Sequence, residues 1–242
     1  MPNGHNNRVI GAMKEGRVAY GFNLIFPSAH VVEILGMLDF DFVWLDGEHG
    51  PFTLENIEDI CRTADAAGMT TIARVPDVNA STILRFLDRG VQGIYGPHIA
   101  TKEDAQKLVD ACYFGPQGQR SFGANRGTGY WHDIPDLKAY YQNCNDNMLV
   151  GALLEDQGSI DNIDEILEVD GIDYFGIGPN DFSQGIGYPG EPGHPEVERA
   201  TRELTERIRG AGRRMVADVL ESEWISTVLI DDGRKVLDRR KC

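Results

Sequence analysis

Met148-Leu149-Val150-Gly151-Ala152-Leu153-Leu154-Glu155-Asp156 is followed, about one helix later, by Ile172-Asp173-Tyr174-Phe175-Gly176-Ile177-Gly178-Pro179-Asn180-Asp181-Phe182-Ser183. Each part begins as an apolar run rich in strand formers, and the polar segment between them, Ser159 to Val169, has the pattern of a helix. Strand, helix, strand in this span is a parallel βαβ unit. Parallel neighbours end at the same sheet edge, so Glu155 and Asp181 are expected to emerge side by side. Two carboxylates there, with room for water, form a hard oxygen site suited to Mg²⁺ or Mn²⁺.

The same alternation extends in both directions. Upstream, strands are expected at Val18 to Phe26, Phe40 to Leu45, Thr70 to Ala73 and Val91 to Tyr95. The helices between them begin at Pro27-Ser28, Thr53, Ala80 and Lys102, and Gly90 ends the third. The first residues, Met1 to Asn7, are polar and expected to fray. Downstream, Pro195 opens an amphipathic helix to Ala211, Arg214 to Val219 is the expected seventh strand, Glu221 to Ile230 a helix, and Lys235 to Leu237 a stunted eighth strand. The predicted fold is α/β, a (β/α)8 barrel over residues 1–242 as one domain, with a short, atypical eighth unit.

The formal net charge of −15 argues against nucleic acid or an anionic membrane as partner. Cys61, Cys112, Cys144 and Cys242 are scattered and form no C-x-x-C pair, which suggests free thiols in a reducing compartment. With no signal-peptide pattern and no long apolar run, the expected location is cytoplasmic.

Polar residues recur after the strands: Asp46, Glu48 and His49 after the second, Arg74 after the third, His98 after the fourth, Glu155 after the fifth and Asp181 after the sixth, with Asp218 in the seventh. Barrel enzymes build their sites from such positions. A metal on Glu155 and Asp181 leaves open positions for a 2-oxo acid, whose enolate it stabilises. Arg74 suits the developing oxyanion, and His49, oriented by Asp46, suits proton transfer. Gly178, Pro179, Asn180 and Asp181 open a turn whose amides suit the substrate carboxylate. Each residue also has a plainer reading: Glu155 as a cap or ion-pair partner, Asp181 as an N-cap, His49 as a loop histidine, Arg74 as a structural cation. His98 stays open between pocket and backbone roles. His5, His30, His132 and His194 read as non-catalytic. The Gly-rich segment Tyr113 to Trp131 and the loop Ser183 to His194 are expected to shape the choice of second substrate.

The chain resembles the HpcH/HpaI aldolase family of metal-dependent (class II) pyruvate aldolases. The resemblance rests on Trp44-Leu45-Asp46-Gly47-Glu48-His49-Gly50-Pro51, Ala73-Arg74-Val75-Pro76, Glu155 after an apolar strand, and Gly176-Ile177-Gly178-Pro179-Asn180-Asp181-Phe182-Ser183. Gly187-Tyr188-Pro189-Gly190 and His194-Pro195-Glu196-Val197 also fit it. It implies a phosphoenolpyruvate/pyruvate-type barrel, a homo-oligomer (a hexamer built as a trimer of dimers), and Mg²⁺, Mn²⁺ or Co²⁺ on Glu155 and Asp181. Arg74 would bind the pyruvate enolate, and His49 with Asp46 would be the acid/base pair. The implied reaction is reversible cleavage of a 4-hydroxy-2-oxo acid to pyruvate and an aldehyde. Alternatives keeping the same site are oxaloacetate decarboxylation, a CoA-thioester lyase, or a non-catalytic barrel that binds 2-oxo acids. The chain departs from the family at Leu153, where Gln is usual, at Gly96-Pro97-His98, where apolar-Pro-Met is usual, and after Asp231, where a Gly-rich eighth strand and a further helix usually follow.

Overall fold

The computed structural model describes residues 6–132 and 134–240. The elements run α1 (Arg8–Glu15), β1 (Ala19–Leu24), α2 (Ala29–Met37), β2 (Phe42–Asp46), α3 (Leu54–Ala66), β3 (Thr70–Arg74), α4 (Ala80–Arg89), β4 (Gly93–Gly96), α5 (Lys102–Cys112), α6 (Leu137–Asp146) and β5 (Leu149–Leu154). They continue with α7 (Gln157–Asp161), α8 (Ile163–Leu167), β6 (Tyr174–Ile177), α9 (Pro179–Gly185), α10 (Pro195–Gly210), β7 (Leu220–Trp224) and α11 (Ile225–Asp238). The strands form one curled parallel sheet in the order β6-β5-β4-β3-β2-β1-β7.

Period-2 alternation sorts each strand between two apolar layers. Val43, Leu45, Ala73, Ile94, Val150, Ala152 and Phe175 pack outward under the helices. Ala19, Phe42, Ile72, Tyr95, Leu149, Leu153, Tyr174 and Leu220 fill the concave side. Two glycines make room for the aromatics there. A Cβ at Gly151 would lie 2.4 Å from the Tyr174 ring, and one at Gly176 would lie 1.8 Å from the Tyr95 hydroxyl. Val9 and Ala12 of α1 join this inner cluster. Helix starts follow the expected chemistry, with Thr53 and Thr101 each closing a capping box.

The structure departs from the sequence expectations at both termini and in one crossover. Asn7 is not frayed: it is 2 % exposed, caps α1, and its Nδ2 donates to the Gln92 and Asn147 carbonyls, each at 3.1 Å. Only Met1 to His5 of the segment expected to fray, and Cys242 of the cysteines, lie outside the described residues. The segment from Ser159 to Val169 is two short helices broken at Asn162, whose side chain donates to the Ala100 carbonyl. The expected seventh strand at Arg214 to Val219 is a 3-10 turn, Val216–Asp218, with one bridge from Met215 to Phe175. The cause is Asp218, which accepts the Met215 N–H at 2.9 Å, pairs with Arg209 and curls the backbone. The strand forms one step later. Leu220–Trp224, expected as helix from Glu221 on, pairs with β1 from Ala19↔Leu220 to Asn23↔Trp224. Lys235 to Leu237 is not an eighth strand; it lies inside α11, where Arg234 and Lys235 pair with Asp231 and Asp232 three residues back. No helix among the described residues is long and apolar enough to cross a membrane.

Candidate active site

The inward register that fills the concave face with apolar groups delivers polar ones at its C-terminal edge. Asp46 and Arg74 end β2 and β3 and are register partners. Their side chains therefore meet as a fork: Arg74 Nε donates to Asp46 Oδ1 at 3.0 Å and its terminal nitrogen to Oδ2 at 2.7 Å. The other terminal nitrogen lies 3.2 Å from Glu48. Burial disfavours the guanidinium, but Asp46, Glu48 and Glu155 outweigh it and hold Arg74 more firmly protonated. Gly47 lets the turn pass over β3, its N–H donating to the Arg74 carbonyl, where a Cβ would lie 2.7 Å from that oxygen.

Asp46 touches His49 only through the main chain, accepting the His49 N–H at 3.2 Å. The imidazole stands at the rim, its side chain 64 % exposed, and its nearest carboxylate is Glu48 at 3.9 Å. The pairing of Asp46 with the His49 ring expected from sequence is thus replaced by a fork between Asp46 and Arg74.

Glu155 follows β5 and is 2 % exposed. Oε1 accepts the His98 N–H at 3.0 Å. His98 reaches this position with a left-handed backbone, φ 53°, unusual for a non-glycine residue. Its ring Nδ1 lies 3.1 Å from Asp156 and 3.5 Å from Glu155, and Nε2 lies 3.8 Å from Glu48. Burial pushes the Glu155 carboxyl above the usual range. His98 opposes that rise, and the charges of Glu48 and Asp181 add to it. His98 is itself held above the ordinary imidazole range: burial opposes protonation, but Glu155, Asp156 and Glu48 prevail. Asp181 stands exposed in the first turn of α9. Gly178 precedes that helix, and a Cβ there would lie 2.7 Å from Glu155 Oε2. Five carboxylates (Asp46, Glu48, Glu155, Asp156 and Asp181) thus face one guanidinium, the His98 imidazole and, at the rim, that of His49.

A cavity of about 150 Å³ opens among Asn23, Trp44, Asp46, Arg74, Tyr95, Leu153, Gly178 and Trp224. Sequence reading missed several of these. Asn23 shares the inward face of β1 with Ala19, and its buried Oδ1 has no partner. Trp44 and Trp224 flank it by register. The available signal was a lone polar residue at an inward position. Asp218 takes no part, being held by Arg209 and the Met215 N–H. No residue of the segment 113–131 lines this cavity. Arg120, Arg126, Gly127, Gly129 and Tyr130 line a different cavity at the opposite end of the sheet.

Known proteins share this fold. Residues 22–235 match the HpcH/HpaI aldolase/citrate lyase family. A 2-keto-3-deoxy-L-rhamnonate aldolase of Escherichia coli strain K12 is 33 % identical over 202 residues, covering 83 % of this chain and 74 % of that one. An HpcH/HpaI aldolase from Desulfitobacterium hafniense DCB-2 has a similar structure, with a TM-score of 0.85, 22 % identity, and coverage of 96 % of this chain and 95 % of that one. An HpcH/HpaI aldolase/citrate lyase family protein from Burkholderia cenocepacia J2315 has a TM-score of 0.87, 23 % identity, and coverage of 98 % of this chain and 100 % of that one. The chain belongs to the HpcH/HpaI aldolase/citrate lyase family and is a carbon–carbon lyase.

Proposed function

We propose that this protein is a divalent-metal-dependent aldolase that reversibly cleaves a 4-hydroxy-2-oxo acid to pyruvate and an aldehyde through a pyruvate enolate. The observation that carries the reading is Glu155: a buried carboxylate whose neighbours are mostly carboxylates and which meets only the His98 main chain and ring. Such a group calls for a cation. Glu155 and Asp181 would hold Mg²⁺, Mn²⁺ or Co²⁺. Gly178 fits that role by leaving Glu155 Oε2 unobstructed. Among the described residues no group of three His, Cys, Asp or Glu side chains is placed to hold an ion, so the reading rests on these two carboxylates, with substrate and water as the further ligands. The ion, when bound, supplies Lewis-acid charge for the enolate oxygen.

The protein groups do the rest. Arg74, fixed by Asp46 and Glu48, donates to the 2-oxo oxygen as its charge grows. The amides of Asn180 and Asp181, in the first turn of α9, lack helical acceptors and suit the substrate carboxylate. Gly178 and Pro179 bring that turn to the cavity. His49 at the rim moves the proton of the 4-hydroxyl, with Asp46 fixing its main chain. Leu153 presents an apolar wall to the aldehyde half. The cavity of about 150 Å³ suits a short acid and is smaller than sites for drug-sized ligands.

The same reading takes the sheet as an eight-fold barrel in one domain, its seventh strand reduced to the Phe175–Met215 bridge, and places the enzyme in the cytoplasm. It also assigns a homo-oligomer, a hexamer built as a trimer of dimers. Leu229, Ile230, Val236 and Leu237 form an exposed apolar stripe at helical spacing on α11, which supports self-association.

Exchange of the pyruvate methyl protons in D₂O, followed by NMR with Mg²⁺ or Mn²⁺ and then with EDTA, tests the enolate step without knowledge of the aldehyde. Metal-dependent exchange is expected. Absence of exchange with every divalent ion tried would overturn the aldolase reading.

A further inference from the structure

We propose that the cavity at the N-terminal end of the sheet binds a small organic monocarboxylate with an apolar or aromatic body, anchored on Arg120. This site is separate from the mouth and does not rest on the catalytic reading. Its floor includes Gln92 and Met148, just before β4 and β5, and its roof is the segment from Arg126 to His132. None of the mouth residues lines it. Its volume, about 520 Å³, lies in the range of small-molecule sites.

Charge accounting selects the anchor. Three arginines line the cavity: Arg62, Arg120 and Arg126. Arg62 is paired with Glu58 and Asp59, and Arg126 with Asp65 and the Arg89 carbonyl. Among the described residues no carboxylate lies within 4.0 Å of the Arg120 guanidinium, which rests instead 4.7 Å over the Phe114 ring. Its Nε is buried without a partner. Burial also depresses its proton affinity, because the surrounding groups, Cys144, Tyr140 and Asp88 among them, return too little. A half-buried guanidinium with no carboxylate within pairing distance is costly, and an anion bound in the cavity lowers that cost.

The walls set the rest of the ligand. Leu87, Val91, Tyr140 and Met148 are apolar or aromatic, while Asp65, the one carboxylate among the lining residues, is engaged with Arg126. One guanidinium fork matches one carboxylate in bidentate fashion. A phosphate dianion would need more donors than Arg120 provides, and a cation would meet three arginines.

Isothermal titration of the full chain with benzoate, and separately with inorganic phosphate, tests the proposal. Saturable benzoate binding is expected, retained in Glu155→Gln and at least tenfold weaker in Arg120→Met. Cys144 lines the cavity, so Cys144→Phe should fill it and weaken binding by a similar factor while leaving every charge in place; this variant carries the test if Arg120→Met fails to fold. Bound benzoate should also slow the reaction of Cys144 with a thiol reagent in a Cys242→Ser background. The proposal is overturned by absence of benzoate binding, by tighter binding of phosphate than of benzoate, by unchanged affinity in both cavity variants, or by loss of binding in Glu155→Gln, which would place the acid at the mouth.

Discussion

Glu155 and Asp173 stand at opposite ends of two neighbouring strands, and burial pushes both carboxyls above the usual range. Their surroundings differ: Glu155 lies beside the His98 ring but among several carboxylates, whereas the charges near Asp173 are arginines. Glu155 faces Glu48, Asp156 and Asp181, and its one hydrogen bond comes from the His98 main chain. Asp173 accepts the Val150 N–H at 2.8 Å and lies in the field of Arg213 and Arg214. Burial therefore does not distinguish the two carboxylates; the charges around them do. Asp173 is provided for from within the fold and acts as a strut between β5 and β6. Glu155 is left with a deficit of positive charge, which the fold maintains at the edge where the strands deliver Arg74.

The largest expected effect follows from this deficit. Glu155→Gln should abolish divalent-ion binding and lower turnover by at least about 10³-fold, the several kcal/mol that a Lewis-acid charge supplies. The metal-free variant should unfold no more easily than the parent, since an uncompensated buried charge is gone. Retained metal-dependent activity would make Glu155 a strut like Asp173. Next, His49→Ala should slow turnover by roughly 10²–10⁴-fold while leaving methyl-proton exchange of pyruvate less affected, because the exposed ring serves the aldehyde half. An equal loss in both assays would move His49 to the enolate step. Arg74→Lys keeps the charge but cannot fork onto Asp46. A loss of about 10²–10³ in turnover is expected; an unchanged rate would leave Arg74 a purely structural partner of Asp46.

The first six strands were legible in the sequence because each is an apolar run with turn chemistry at its ends, as in Thr70–Arg74 after Gly68. The placement of the candidate residues at the C-terminal ends was legible for the same reason, since Asp46, Arg74 and Glu155 each end an apolar run. The last turn of the sheet was not. Leu220–Trp224 is mostly polar and pairs on one side with β1, so neither its composition nor its alternation marks a strand. The apolar run just before it is diverted by Asp218, a tertiary and capping effect invisible to periodicity. The ring partner of His49 was misjudged because sequence spacing places Asp46 near His49, whereas strand register places it opposite Arg74. Asn23 escaped notice because nothing local distinguishes a polar residue that faces a cavity from one that faces solvent.

Asp173→Asn tests the strut half of the comparison and should give the smallest effect. In the folded protein burial raises the Asp173 carboxyl from 3.8 to about 6, against the opposing Val150 N–H and the two arginines. A group whose folded value is raised contributes stability that is fully present below its unfolded value and is lost as pH rises through the folded one. The parent should therefore lose stability relative to the variant between about pH 4 and pH 7. The full shift would correspond to about 3 kcal/mol. Because the residue keeps some contact with water, about 2 kcal/mol is the better expectation, or some 4–8 °C in unfolding midpoint for a chain of this size. Asparagine retains an oxygen for the Val150 N–H, so the lost attraction to Arg213 and Arg214 enters as an offset, while the slope of the difference against pH carries the test. Unfolding curves that stay parallel from pH 4.5 to 7.5 would mean that Asp173 is ionised in the folded protein throughout. The arginines would then compensate it fully, and the contrast with Glu155 would widen.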